Sequence, residues 1–466
     1  MHIQRRTLIV GAVAASLGAA ASVRTCRASV GAARLSTFRG AGDKDDNAAL
    51  RRALATGRPV HLAAGEGAGP SGEYLLGSIE LGPGAVITGD GIGRTIVRPA
   101  ATEALRPNIF FCDSGSGATT VRGIQISDLT LRGWSVERGF AEHEHLLNFN
   151  GVEDLSIARV AFEAFRGDAL YLGSGTLPGQ ERHNRAIRVT NCTFDGVNHQ
   201  NRNGISIIDA DDIAIENCSF RNCTRPDMPG AIDMEPDQTP LARVRNIRVR
   251  NCRFARVGGN FATIALSTSA AVRTLPSQIL IENNIFEDYA GVGAEISLDV
   301  GRRLSSGDPD MGVIVRGNRG RGGRSIYAFY AAKGVRAEGN EWRDYAAGSI
   351  MGFDKPHQLL RNARIADRFM RCGLSSKVGL GVFNVSGLAL DGSEFVDCGD
   401  GGPNAYAIDF DRGASESVSL RGVRVLSPTG RTRHAVMREA AHRFSPRSNV
   451  ENGNDFGGLS AISISR

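Results

Sequence analysis

One pattern, apolar-x-apolar-x-Asn-Cys-x-Phe, recurs along this chain of 466 residues and leaves it few possible folds. It reads "IRVTNCTF" at 187–194, "IAIENCSF" at 213–220, "IRVRNCRF" at 247–254 and "ILIENNIF" at 279–286. Weaker copies start at 124, 155, 335, 363, 388 and 418, and "VIVRGN" at 313–318 fills the remaining gap. Successive copies lie 22 to 34 residues apart, a period that belongs to stacked repeat architectures. Inside each copy the alternation is that of a strand. In "IAIENCSF", Ile213 and Ile215 point inward, but Cys218 and Phe220 fall out of step with them. A bend at Asn217 restores the phase, and Asn tolerates the left-handed backbone of such a corner. A third strand follows each copy, such as "GISII" (204–208) or "AIDME" (231–235). Three short strands and three turns per coil describe a parallel β-helix of about eleven coils, with rungs ~4.8 Å apart. Parallel crossovers make it right-handed. The 58 glycines and the low aromatic content, 6%, suit a chain made of turns.

The repeat predicts columns of like side chains. Asn191, Asn217, Asn251, Asn283, Asn318 and Asn340 should form an amide ladder along one corner. Phe194, Phe220, Phe254 and Phe286 should stack beside it, and Cys192, Cys218 and Cys252 should fill one inward column as small apolar residues. That core role outweighs a disulfide between rungs, and a single column cannot surround a zinc ion tetrahedrally.

Residues 1–28 read as an export signal: "RR" at 5–6, an apolar stretch from Leu8, then small residues. The arginine pair is similar to the twin-arginine signal of bacteria. Its removal would take Arg5, Arg6, Arg24 and Arg27 with it, leaving 51 basic against 49 acidic residues, so the formal +6 falls to +2. With no basic run and no RNA-binding aromatic motif, nucleic acid is not an expected partner. No other stretch approaches the ~18 apolar residues of a membrane span, so a periplasmic or secreted protein is expected, free of the membrane after cleavage.

Residues 29–100 precede the repeats. "FRGAGDKDDNAALRRAL" (38–54), "PVHLAAGEGAGPSGEYLLGS" (59–78) and "VITGDGIGRTIVRP" (86–99) resemble the opening of the pectate-lyase-like β-helix superfamily. Within it, "NAALRRALA" (47–55) has an apolar face that can cover the open end of the first coil. Repeats are expected over 101–430 and a C-terminal cap over 431–466. The resemblance implies a polysaccharide groove on the outer face of the third strands, but the superfamily includes lyases, hydrolases, epimerases and structural proteins. The motifs of polygalacturonases, alginate epimerases and pectate lyases are not intact here, so the resemblance carries over no catalytic residue.

Aligning the third strands puts Asn148, Tyr171, Ser206, Asp233, Ala265, Ser297, Tyr327 and Asp409 in one outward column. Flanking columns hold Thr263 with Glu295, and Glu235 with Asp299. Asp233 and Glu235 would share one face about 6.6 Å apart, and they are the candidate reaction centre. Asp209 and Glu295 are their candidate partners. His199, Arg202 and Arg225 are candidates for proton transfer or for holding substrate, with Tyr171 and Ser206 as further substrate contacts. Asp237 falls beyond Pro236, in the following turn, and is left out. Carboxylates this close need a proton or a cation between them. One solution is a proton, with one carboxyl as acid and the other as base of a glycosidase. A second is Ca²⁺ held by Asp233 and Glu235, with an Arg or His as lyase base. A third is a solvated face of salt bridges. The "HEH" at 143–145 lacks the spacing of a helical zinc motif and reads as a surface strand. The expected function is cleavage of a polysaccharide by hydrolysis or β-elimination, against the alternative of a non-catalytic glycan-binding or structural β-helix.

Overall fold

The computed structural model describes residues 31–100, 108–113, 120–175, 182–237, 240–353, 355, 357–410, 413–439, 443–444 and 453–464. The signal segment 1–28 lies outside them. The chain winds into an all-β, right-handed parallel β-helix of about 13 turns. In the central coils the three strands are short: Ala210–Glu216, then Ser219–Arg221, then Ile232–Met234, each in parallel register with its counterpart one coil on. Inward residues make one continuous apolar core. Among the described residues no helix is long and apolar enough to cross a membrane.

The first-to-second strand corner explains the repeat. Asn191, Asn217, Asn251 and Asn283 all have φ between 54 and 55° and are exposed. They supply the left-handed turn that most residues enter at a cost. They do not share a ladder with Asn318 and Asn340, which corrects the expected amide column. The ladder runs one residue further on, inside the wall, at the Cys192, Cys218, Cys252, Asn284, Asn318 and Asn340 position. There each side chain reaches back to a carbonyl of the coil before. Cys218 donates to Val189 O (3.5 Å), Asn318 to Ile281 O (2.9 Å) and Asn340 to Val315 O (2.8 Å). Asn284, Asn318 and Asn340 also bond to one another, and Asn340 ends the run on the buried carboxylate of Asp367. A thiol and an amide can alternate in this column because both donate a hydrogen bond to the same carbonyl. The seven cysteines from Cys112 to Cys398 are buried free thiols.

Beside the ladder, Phe162, Phe194, Phe220, Phe254 and Phe286 stack with ring centroids 4.4–5.1 Å apart. Each such contact adds about 0.5–1.5 kcal/mol beyond area burial. Gly320 takes the next position, because a Cβ there would lie 2.3 Å from the Trp342 ring. The opening segment folds as expected: helix Asn47–Leu54 buries Ala49, Leu50 and Ala53. At the other end, 431–466 does more than cap. His434–Glu439 and Ser460–Ile464 continue the third sheet as two further parallel strands.

Candidate functional site

The third sheet carries the outward column that the sequence alignment places there. Asn148, Tyr171, Ser206, Asp233, Ala265 and Ser297 are neighbours in successive strands, and Asp409 lies in the same column six coils beyond Asp233. Tyr327 does not belong to it. Ser297 pairs with Ala328, so Tyr327 turns inward and is fully buried, its hydroxyl bonded to Asp367 at 2.6 Å. A register shift of one residue moves a side chain to the opposite face.

A cleft of about 310 Å³ opens on this face. It is lined by Glu142, His143, His145, Tyr171, Arg202, Ile208, Glu235, Pro236 and Asp237. "HEH" therefore lies in the turn before strand Leu147–Asn150 and not in a surface strand, and it contributes both histidines to the cleft.

Arg202 organises the floor. Its side chain is 13% exposed. It donates to Asp168 Oδ2 at 3.0 Å and to Ser206 Oγ at 3.1 Å. Glu235 lies 3.6 Å away and Glu142 3.7 Å. Asp168 is fully buried and also accepts the Asn203 backbone N–H at 3.0 Å. His145 Nδ1 lies 3.0 Å from the Asp168 backbone N and 3.2 Å from Asp168 Oδ2. Burial lowers the proton affinity of His145, against the opposing pull of Asp168. Its ring stacks on Tyr171 with centroids 4.8 Å apart.

Asp233 faces outward as expected but is not open to the groove: Arg202, Asn203 and Glu235 cover it and leave it 1% exposed. Burial first, then the charge of Glu235, hold its carboxyl well above the usual carboxylate range. Asn203 reaches its Oδ2 at 3.3 Å, and its Oδ1 has no hydrogen-bond partner among the described residues. Glu235 is exposed at the cleft wall. Asp237, set aside on sequence grounds, also lines the cleft, three residues beyond the end of strand Ile232–Met234. Burial, then the charge of Asp209, raise its carboxyl.

The other candidates are not brought to the cleft lining. Asp209 is fully buried behind Ile208, accepting from Ser174 Oγ (2.7 Å) and the Arg243 N–H (3.1 Å) and contacting His183 Nδ1 at 2.6 Å. Glu295 is buried two coils on, accepting from Thr263 at 2.6 Å and from Tyr345 at 3.1 Å, and burial raises its carboxyl to about 8. His199 contacts the Thr224 carbonyl at 3.3 Å, and Arg225 stacks over Phe140 and pairs with Asp227. Ser206 is buried and serves Arg202 and Asn203. The Asp233–Glu235 pair does not fit Ca²⁺. Asp233 is 1% exposed, and the guanidinium of Arg202, 3.6 Å from Glu235, supplies the positive charge there. Among the described residues no group of three or more His, Cys, Asp or Glu is placed to hold a metal ion.

The alignment overlooked His145 and Asp168. The parallel register of Leu147, Leu170 and Ile205 puts His145, Asp168 and Asn203 in one column just before the third strands. Polar residues repeated at that offset were the signal.

Residues 145–319 match the family described as the right handed beta helix region. No curated protein matches the sequence. Among solved structures, the chain is similar to pre-mature gene product 12 of bacteriophage phi29, at 14% identity and a TM-score of 0.57. That match covers 92% of this chain and 56% of the phage chain. It is also similar to the catalytic unit of a thermostable GH87 α-1,3-glucanase from Streptomyces thermodiastaticus, at 13% identity and a TM-score of 0.52, covering 94% and 70% of the two chains. The chain thus spans little more than half of the phage protein, and identities this low establish the fold alone.

Proposed function

We propose that the chain is an exported, periplasmic or secreted enzyme that hydrolyses glycosidic bonds of a polysaccharide in the Arg202 cleft. The carrying observation is that Glu235 and Asp237, two residues apart in sequence, line the same cleft. Two residues of chain span at most ~7 Å, of the order of the ~6.5–9.5 Å separation that lets one carboxyl protonate the leaving oxygen while another activates water. Asp237, whose carboxyl is raised by burial and the Asp209 charge, is the acid. Glu235, 3.6 Å from the Arg202 guanidinium, is the base. Asp233, whose carboxyl is raised by burial and by the Glu235 charge, positions Glu235. The stacked His145 and Tyr171 rings also line the cleft, where a sugar can stack and hydrogen-bond to the imidazole.

Charge favours hydrolysis over β-elimination. Glu142 and Glu235 face the cleft, and Arg202 in its lining is already paired with Asp168. A uronate carboxylate would meet like charge there. A neutral glycan would not. The same α-1,3-glucanase fold supports such chemistry elsewhere. A non-catalytic glycan-binding role is the rival, favoured by the ion pairs that tie Glu142 and Glu235 to Arg202. The test is a panel of neutral and acidic polysaccharides, following reducing ends and the ultraviolet absorbance of unsaturated uronates together. Reducing ends released without absorbance are expected. An absorbance rise would replace hydrolysis with elimination, and binding without either signal would favour the rival.

A further inference from the structure

The outer face of the second sheet carries a different regularity. In one outward column the register runs Arg253, Ile285, Arg319, Glu341, Arg368, Glu394, Arg424. Arginine therefore recurs at every second coil, about 10 Å apart along the helix axis. That is close to the length of two linked pyranose rings. The neighbouring column adds Arg321 and Arg343 beside Arg319 and Glu341.

On the first sheet, by contrast, arginines are consumed by close carboxylates. Arg250 meets Glu216 at 2.7 Å, Arg316 meets Glu282 at 2.5 Å, and Arg188 meets Asp212 at 2.7 Å. On the second sheet Arg253 meets Glu287 at 2.5 Å, but from Arg319 onward the pairs in this column and its neighbour Arg321–Arg343 are looser. Arg368 and Arg424 share Glu394 at 3.4 and 3.6 Å, Arg343 lies 3.5 Å from Glu341, and Arg321 lies 3.6 Å from Asp344. These exceed the 2.7–2.9 Å of a charge-assisted hydrogen bond, and the arginine side chains are 49–75% exposed. Loose exposed pairs are worth little and exchange readily for another anion. A shallow depression of about 220 Å³ opens among Arg319, Arg321 and Arg343, with the exposed Ile285 as apolar floor. Gly320 and the carboxylates Glu287 and Glu341 also line it.

We infer that this face is a second carbohydrate site, which binds a linear acidic polysaccharide lengthwise, one anionic group per disaccharide meeting each arginine and a sugar ring lying over Ile285. It is separate from the Arg202 cleft and does not depend on its chemistry. It would hold the protein on an acidic matrix while the cleft acts on a neutral chain.

The experiment measures retention of the full chain on immobilised polygalacturonate, with dextran and duplex DNA as controls, across a salt series. Two triple variants are compared: Arg319→Ser/Arg321→Ser/Arg343→Ser on the second sheet, and Arg188→Ser/Arg250→Ser/Arg316→Ser on the first, which change net charge equally. Salt-sensitive retention on polygalacturonate but not dextran is expected, weakened about tenfold or more by the second-sheet variant and less than about threefold by the other. Absence of retention at low salt, equal losses in the two variants, or equal affinity for duplex DNA would each overturn the assignment. Circular dichroism of both variants separates loss of binding from loss of fold, and a variant that does not fold is replaced by Arg368→Ser/Arg424→Ser with the same expected direction.

Discussion

Replacing Arg202 by Ala should be the most damaging single change at the cleft, with a characteristic pH dependence. The guanidinium is 13% exposed and bonds to Asp168, which is fully buried. Removing it leaves Asp168 with only the Asn203 N–H and the His145 ring as partners. Breaking a buried ion pair from one side costs about 3–5 kcal/mol. The longer contacts to Glu142 and Glu235, whose side chains are about half exposed, add at most ~1 kcal/mol each. The loss should therefore be about 3–5 kcal/mol at neutral pH. It should shrink in acid. In the parent, burial lowers the proton affinity of His145, and the Arg202 charge lowers it further. Without Arg202 the imidazole can take up a proton as pH falls and replace the lost cation beside Asp168. Arg202→Lys, which keeps the charge but not the fork, should lose about 1–2 kcal/mol. A solenoid need not unfold in one step, so urea titration is best paired with hydrogen exchange at the Asp168 and Asn203 amides, which both bond within this cluster. A neutral-pH loss below ~0.5 kcal/mol, or a loss that grows in acid, would refute the assigned roles.

Three further outcomes follow from the coils themselves. Asn318→Ala leaves the Ile281 carbonyl and the Asn284 N–H without partners in the wall and should cost about 2–5 kcal/mol, whereas Asn283→Ala at the exposed corner, φ 54°, should cost only about 1–2; urea midpoints compare them. Glu295 is a buried acid raised to about 8 from 4.5, so it penalises the fold progressively as pH rises between those values, by up to about 5 kcal/mol. Glu295→Gln should therefore melt above the parent near pH 8, with the gap closing toward pH 4.5. Gly320→Ala forces a methyl to within 2.3 Å of Trp342 and should lower the melting temperature by the equivalent of at least ~1–3 kcal/mol.

Much of the fold was legible because a β-helix repeats its contacts at fixed register. The Phe stack, the left-handed Asn corner and the outward third-strand column all follow from counting along the repeat. The failures are failures of phase and of depth. Asn283 and Asn284 adjoin, and only the second enters the wall with Asn318. Tyr327 sits one residue off the column because Ser325, not Arg324, pairs with Ala294. Burial is the second blind spot. Strand alternation predicts that Asp233 and Glu295 face outward, but the turns that fold back over them, bringing Arg202, Asn203 and Tyr345, are long-range neighbours that no period reveals. The same turns bring His145 and Asp168 beside Tyr171 and carry Asp237 back to the cleft wall.

The measurement that bears most directly on the cleft is turnover by Glu235→Gln on whichever polysaccharide releases reducing ends with the full chain. The exposed Glu235 side chain touches only Arg202 at 3.6 Å among ion pairs of the described residues, so the fold should survive. Loss of a general base is expected to lower kcat by about 10²–10⁴-fold with glycan binding retained. Unchanged turnover by a folded Glu235→Gln protein would contradict the cleft as the place where the polysaccharide is cut.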